Sequence, residues 1–291
     1  MFSTREIATA IWLVVFLVLV LRKAEVRHEV AGVLRAGAHP KIVLPIVCLA
    51  AYTALAVWAL RTVSLWNPAL LKETVLWFVL TGLATASEAI TSASPHRVIR
   101  TAVRDSLRVV VLFEFLVGSY TFPLFWELIL VPLVVIVSMM DIVARRDRKS
   151  SEIAAFLHWI QVVVGLAIVG SALYQAAIDY ATLVSPGTLR IIALGPILTL
   201  MFIPAIYVLL LCTNYEEAFI GLYVGEPKDR SLIRYAKRRM LIYANVSLDR
   251  VLELRRRGVQ IRWINSREDV DELIRGLQRV RARNGQLGQP E

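Results

Sequence analysis

Cysteine and catalytic motifs are both scarce in this sequence. Its two cysteines, Cys48 and Cys212, belong to separate apolar segments, so no disulfide framework is predicted. The sequence contains no His-Glu-x-x-His run, no Gly-x-Ser-x-Gly turn, no phosphate-binding loop and no Cys-x-x-Cys pair. An enzyme built on one of these motifs is therefore excluded, and the sequence favours a protein without catalytic activity.

Histidine is scarce as well, and its placement predicts neither a metal site nor a cofactor. The four histidines fall in predicted loops or at the edges of apolar segments: His28, His39, His96 and His158. They show little fixed spacing and no cysteine accompanies them, whereas recognisable metal sites have both a ligand set and a spacing. An enzyme that uses inner-surface Asp, Glu and His residues on lipid headgroups is the least favoured alternative.

Long apolar runs dominate what the sequence does contain. Hydrophobic residues make up 57% of the chain and charged residues 19%. Runs long enough to be assessed as membrane spans lie at 7–21, 42–60, 69–90, 109–140, 157–180 and 190–212. The residues before the first run, Ser3 to Glu6, have the pattern of a helix capping box. The chain is predicted to be an all-α polytopic membrane protein.

The run at 109–140 is too long for one crossing. As one helix it would extend about 48 Å, whereas a hydrocarbon core is about 30 Å thick. Arginines flank both ends, with Arg104 and Arg108 before the run and Arg145 and Arg146 after it, so both flanks belong on the same side. The run is predicted to cross twice as a short hairpin or to form a re-entrant pair. With two crossings, the protein has seven spans.

The distribution of basic residues predicts the orientation. The segment 22–27 and the tail after Cys212 are basic, whereas the loops near 66–68 and 185–187 are poor in Lys and Arg. The positive-inside rule then places the N-terminus outside and the C-terminus in the cytoplasm of a multi-pass cell-membrane protein. The formal net charge of +10 is explained by the basic residues of the predicted cytoplasmic segments. Because the arginines sit mostly at the ends of spans, the charge argues against nucleic acid as a partner.

One basic stripe precedes the 109–140 run. Arg100, Arg104 and Arg108 recur at four-residue spacing, which puts them on one face of a helix. Long basic side chains at the end of a span extend to anionic headgroups. The stripe is therefore predicted to lie at the membrane surface and to contact anionic lipid.

The composition changes at residue 213. The sequence predicts a transmembrane bundle over 1–212 and a basic cytosolic module over 213–291, whose last residues are frayed. Short apolar runs at 218–224, 240–244 and 259–264 are interpreted as strands and the segments 230–243, 248–257 and 266–279 as helices, the first of them running into the strand at 240–244, which predicts a small α/β module. A core this small favours docking on the bundle or on a second copy, so a homo-oligomer is expected.

Three glutamates inside the runs are the candidate ion or proton pathway. Glu114 is predicted to lie about 9 Å into the membrane, facing the bundle interior, because burying a charge in hydrocarbon is costly. Glu127 and Glu73 are predicted nearer the outer surface, with Lys72. They form either a polar vestibule or an interfacial charge network, and the network is favoured.

Two prolines make the last span a candidate hinge. Pro196 and Pro204 each remove a backbone hydrogen bond within the 190–212 run. Broken helices bind ions or move gates in some membrane proteins, although kinked structural helices are commoner.

These features lead to one main functional hypothesis and one alternative. The main hypothesis is a permeation or signalling protein, gated when a cytosolic protein or small ligand binds the C-terminal module. The alternative is a non-catalytic anchor or scaffold that recruits a cytosolic partner.

Overall fold

The protein is described by a computed structural model covering residues 3–92, 94–106, 116–118, 120–146, 151–179, 185–224 and 229–286. It contains two compact units, one of Met1–Leu80 with Thr101–Leu200 and the other of Thr81–Arg100 with Met201–Glu291. Among the described residues, the helices up to residue 220 are α1 (Thr4–Leu21), α2 (Ala24–Gly37), α3 (Pro40–Thr62), α4 (Leu71–Trp77), α5 (Leu83–Thr91), α6 (Pro95–Ser106), α7 (Leu124–Ala144), α8 (Ser151–Ile178) and α9 (Pro186–Ile220).

Six helical segments among the described residues are long and apolar enough to cross a membrane. They are Thr4–Leu21, Pro40–Thr62, Pro68–Thr91, Leu124–Ala144, Glu152–Ile178 and Pro186–Tyr223. A 3₁₀ turn before α4 and a π-helical turn at Phe78–Gly82 make Pro68–Thr91 one continuous segment. Large apolar side chains such as Leu13 and Phe16 are exposed on these helices, as lipid contact requires. The predicted multi-pass membrane protein is supported by these six helices.

The predicted hairpin at 109–140 is described only in its second arm. That arm is α7, whose 21 residues extend about 31 Å and suffice for a full crossing. Residues 107–115, which carry most of the first arm, lie outside the described residues. The seventh span therefore stays a prediction.

The start of α1 follows directly from its sequence. The Ser3 hydroxyl accepts a hydrogen bond from the Glu6 backbone N–H at 3.3 Å, and the Ser3 N–H donates to Glu6 Oε2 at 2.8 Å. This reciprocal pair satisfies two of the free N–H groups at a helix N-terminus. The predicted capping box is confirmed.

The C-terminal region is a helical domain. Its helices are α10 (Arg230–Ala244), α11 (Leu248–Arg256), α12 (Gly258–Arg262) and α13 (Arg267–Gln286). They share one buried core with the end of α9, which contributes Ala218, and with the 3₁₀ turn that follows it, which contributes Leu222. We call α10–α13 and the last turns of α9 the C-terminal helical domain. The predicted boundary at 212/213 falls inside α9, and the division into domains there stays a prediction.

The predicted α/β module is not supported, because the described residues contain no strand. Residues 218–224 form the end of α9 and a 3₁₀ turn, 240–244 belong to α10, and α12 occupies most of 259–264. Ile261 and Ile264 are buried three residues apart while Val259 is exposed, which is a helical pattern. Short apolar runs fit both a strand and a buried helix, and periodicity alone does not separate them.

Candidate functional site

Three helix N-termini in the first unit each carry a glutamate. Glu6, Glu73 and Glu127 each lie in the first turn of a helix, α1, α4 and α7 respectively. A carboxylate at this position is stabilised by the partial positive charge of the helix N-terminus. We call these glutamates, together with Arg5 and Lys72, the N-terminal charge cluster.

Glu127 is the buried centre of this cluster, with no exposed side-chain surface. Arg5 donates to it from Nε, 3.1 Å from each carboxylate oxygen, and from Nη2, 2.9 Å from Oε1. The backbone N–H of Phe122 donates to the same Oε1 at 3.1 Å. A bidentate guanidinium and a backbone donor together compensate the cost of burying the carboxylate.

The carboxylate of Glu73 has fewer hydrogen-bond partners than that of Glu127. Lys72 Nζ lies 3.1 Å from Glu6 Oε2 and 3.7 Å from Glu73 Oε1. The other carboxylate oxygen of Glu73 is buried without a hydrogen-bond partner. Since Arg5 and Glu6 are neighbours on α1, the structure brings the predicted residues Glu73 and Glu127 into one cluster. Among the described residues, three carboxylates face two basic side chains there, which leaves one excess negative charge.

The other predicted membrane residues are placed as follows. Glu114 and Arg108 lie outside the described residues. Arg100 and Arg104 lie one turn apart and exposed on α6. The helix α9 continues without a break through Pro196 and Pro204, and the hinge there stays a prediction.

The turn between α10 and α11 is fixed to α9 by two tyrosines. Tyr207 Oη donates to the Val246 carbonyl at 2.7 Å and accepts from the Leu248 N–H at 3.2 Å. Tyr215 Oη donates to the Asn245 carbonyl at 2.6 Å. Asn245 adopts φ 48° and ψ −128°, the backbone of the first central residue of a type II′ turn, where glycine, asparagine and aspartate predominate.

Arg255 ties α11 to the same helix. Its Nη1 donates to Asn214 Oδ1 at 2.9 Å and lies 3.3 Å from Glu217 Oε2. The buried Asn214 in turn donates to the Leu210 carbonyl at 2.7 Å. The C-terminal helical domain is therefore fastened to the end of α9 by polar contacts as well as by its apolar core.

A polar network on the domain surface joins α10 and α13. Tyr235 Oη donates to Asp271 Oδ2 at 2.9 Å, and Arg239 Nε donates to Oδ1 at 2.8 Å. The hydrogen bond from Tyr235, followed by that from Arg239, lowers the pKa of Asp271 below its usual range. The same Tyr235–Asp271 bond raises the pKa of Tyr235.

The domain also presents a cleft and an apolar patch. The cleft, of about 410 Å³, lies between α10, α11 and α13 and is lined by residues including Arg239, Tyr243, Arg250 and Ile274. The patch consists of Val259 and Trp263, which are 72% and 74% exposed. We call these two residues the α12 patch. Exposed tryptophans of this kind are common centres of protein interfaces.

The histidines make ordinary polar contacts. His96 Nε2 lies 2.8 Å from Asp249 Oδ1, and His158 Nδ1 lies 3.4 Å from Arg145 Nη2. Within the described part of the chain, no three or more His, Cys, Asp and Glu side chains converge as a metal site.

Sequence reasoning missed Arg5 as the partner of Glu127. A signal was present, because Arg5 lies within the Ser3–Glu6 capping box in the first turn of α1, and Glu127 lies one turn after Pro123. Opposite charges at equal depth in two spans running in the same direction favour pairing. Comparison of the chain with protein-family models, curated proteins and solved structures gives no match.

Proposed function

We propose that this protein is a non-catalytic membrane anchor that holds its C-terminal helical domain at the cytoplasmic face of the cell membrane, where the domain recruits a cytosolic protein. The observation that carries the proposal is the continuity of α9. Its 35 residues extend about 52 Å, well beyond a hydrocarbon core of about 30 Å. Ala218 in its last turn and Leu222 in the 3₁₀ turn after it belong to the core of the domain.

The N-terminal charge cluster supports the proposed topology. It joins the N-terminal ends of α1, α4 and α7 at one membrane face. The segment Pro68–Thr91 then carries the chain to the opposite face, yet α7 starts again at the first face. One more crossing is needed between Thr91 and Leu124, which supports seven spans and termini on opposite sides. The basic tail favours the cytoplasm for the C-terminus.

The same cluster argues for a structural bundle. The Glu127 carboxylate accepts from Arg5 and from a backbone N–H and is closed to solvent. A permeating ion or proton would have to displace a bidentate guanidinium at this position. Recruitment through the α12 patch needs no such rearrangement, because Val259 and Trp263 are already exposed.

Complementation of a deletion strain by the full-length protein tests this function. We expect Trp263→Ala to abolish complementation while leaving membrane insertion and thermal stability unchanged. Gln260→Ala, an exposed polar position between the two patch residues, is the matched control and should complement fully. Full activity of a stable Trp263→Ala/Val259→Ala variant would rule out recruitment through the α12 patch.

A permeation or signalling protein gated through the C-terminal domain is the second candidate. The observation that favours it is the buried Glu73 oxygen without a hydrogen-bond partner, beside the excess negative charge of the cluster. Under this function the chain would form a homo-oligomer, with Glu114 further along the pathway. Ion flux in liposomes that falls with Glu73→Gln or Glu114→Gln would support it. Tight liposomes with and without cytosolic extract would count against it.

A further inference from the structure

The position of residues along α9 gives the distance of the C-terminal helical domain from the hydrocarbon core. From Pro186, about 20 residues cross a hydrocarbon core of about 30 Å. The apolar part of α9 ends at Cys212 and is followed by Thr213 and Asn214. The hydrocarbon boundary thus falls at about 206–212, and Tyr207 lies at the interface, where tyrosine is enriched in membrane proteins.

The contacts of α10 with α9 give the depth of α10. Its C-terminal end leads into Val246, whose carbonyl accepts from Tyr207 at the interface. Further back, Lys237 Nζ lies 5.2 Å from the Phe219 ring and 5.1 Å from the Tyr223 ring. Phe219 is about 18 Å beyond Tyr207 along α9. The helix α10 therefore runs toward the bilayer, with its C-terminal end nearest to it.

The outer face of α10 changes from basic to apolar toward the membrane-proximal end. Leu241, Ile242 and Val246 are 46%, 61% and 65% exposed at the membrane-proximal end. The basic residues Arg234, Lys237 and Arg238 lie one to two turns further from the bilayer and line, with Leu241 and Ile242, an open groove of about 610 Å³. The opposite face, with Met240, is buried in the core.

We propose that this face of α10 binds the membrane surface. Leu241, Ile242 and Val246 enter the interfacial region of the leaflet from which α9 emerges. Arg234 and Arg238 bind the anionic headgroups, whereas Lys237 Nζ is held over the Phe219 and Tyr223 rings. Apolar side chains at interfacial depth with basic side chains at headgroup depth are the arrangement of an interfacial helix. The basic charge is complementary to anionic phospholipid.

The depth of α10 is measurable by fluorescence quenching in the full-length protein. A Cys48→Ser/Cys212→Ser background allows an environment-sensitive probe to be attached at Ile242→Cys, in vesicles whose lipids carry bromine on their acyl chains. The matched control is Val259→Cys on α12. That helix packs at Gly221, about 21 Å beyond Tyr207 along α9. Strong quenching at 242 and none at 259 is expected, and equal quenching at both positions overturns the proposal.

The headgroup contact is tested with lipid composition. We expect quenching at 242 to rise about twofold when about one lipid in three is phosphatidylglycerol instead of phosphatidylcholine. Arg234→Gln/Arg238→Gln should remove this rise, whereas Arg256→Gln/Arg257→Gln, with the same charge change on α11, should keep it. Quenching at 242 that does not change with the anionic lipid overturns the headgroup contact. These experiments need no cytosolic partner, so they stand apart from the test of recruitment.

Discussion

The N-terminal charge cluster and the C-terminal helical domain use ion pairs in opposite surroundings. In the cluster, Glu127 has no exposed surface and accepts hydrogen bonds from Arg5 and from one backbone N–H. At the domain surface, His96 of α6 pairs with Asp249 of α11, each is 53% exposed, and water solvates both partners. The buried Arg5–Glu127 pair therefore stabilises the bundle, because removing one partner leaves an uncompensated charge away from water. The exposed His96–Asp249 pair contributes little, because water solvates whichever partner remains.

Removing Arg5 should have the largest effect. Arg5→Ala leaves the Glu127 carboxylate buried without its cation, and we expect a loss of about 3–5 kcal/mol of unfolding free energy. Thermal unfolding in nanodiscs measures it. Arg22→Ala, an exposed arginine at the other end of α1, is the control.

A double substitution sharpens this prediction. Arg5→Ala/Glu127→Gln should be more stable than Arg5→Ala alone, because the neutral amide no longer needs a cation. Strictly additive losses would show that the pair is not coupled.

Gly221→Ala should have the next largest effect, and it acts on the domain alone. A methyl group there would lie 3.1 Å from the Gly258 carbonyl oxygen and from an Ile261 methyl carbon. We expect a loss of about 1–3 kcal/mol from overpacking between α9 and α12. Gly276→Ala on α13, where nothing lies within 4 Å, should be neutral or stabilising by up to about 1 kcal/mol. Equal losses at the two glycines would contradict this packing, as measured by chemical denaturation.

The pH dependence of the domain should be smaller. The lowered pKa of Asp271 gives a contribution that is complete above about pH 4 and is lost as the pH falls through the lowered value. The raised pKa of Tyr235 gives one that is complete below about pH 10 and is lost as the pH rises further. Melting temperatures across this range check both limbs, and Asp271→Asn should flatten them. Parallel curves for the two proteins would refute the assignment.

Breaking the exposed pair should have the smallest effect. Asp249→Asn removes the partner of His96, and a change of about 0–1 kcal/mol is expected because solvent screens the pair. The change should shrink further in high salt, which unfolding in two salt concentrations would reveal. A loss as large as that of Arg5→Ala would show that solvent exposure does not govern these pairs.

The two regions also differ in how far the sequence predicts them. A long apolar run has few stable structures other than a membrane-spanning helix, so the six candidate spans were predictable from the sequence. The capping box was predictable from the spacing of Ser3 and Glu6. The strands assigned to 240–244 and 259–264 were wrong, since short apolar runs suit a buried helix equally well.

Pairing between distant residues was the other part that the sequence did not provide. Glu127 was singled out, but its partner Arg5 depends on which spans pack together, and neither local propensity nor periodicity carries that information. The attachment of Tyr207 and Tyr215 to the α10–α11 turn is of the same kind, because it depends on how far α9 continues past the apolar run.

The contact between Arg5 and Glu127 joins residues 122 positions apart in the chain. At about 5–20 residues per second of synthesis, the first span emerges about 6–24 s before its carboxylate partner exists. During that interval the guanidinium has to stay in water, at a headgroup or in the insertion machinery. Once α7 has been made, Arg5 can pair with Glu127. The first span therefore gains its buried ion pair only after the chain has been synthesised past residue 127.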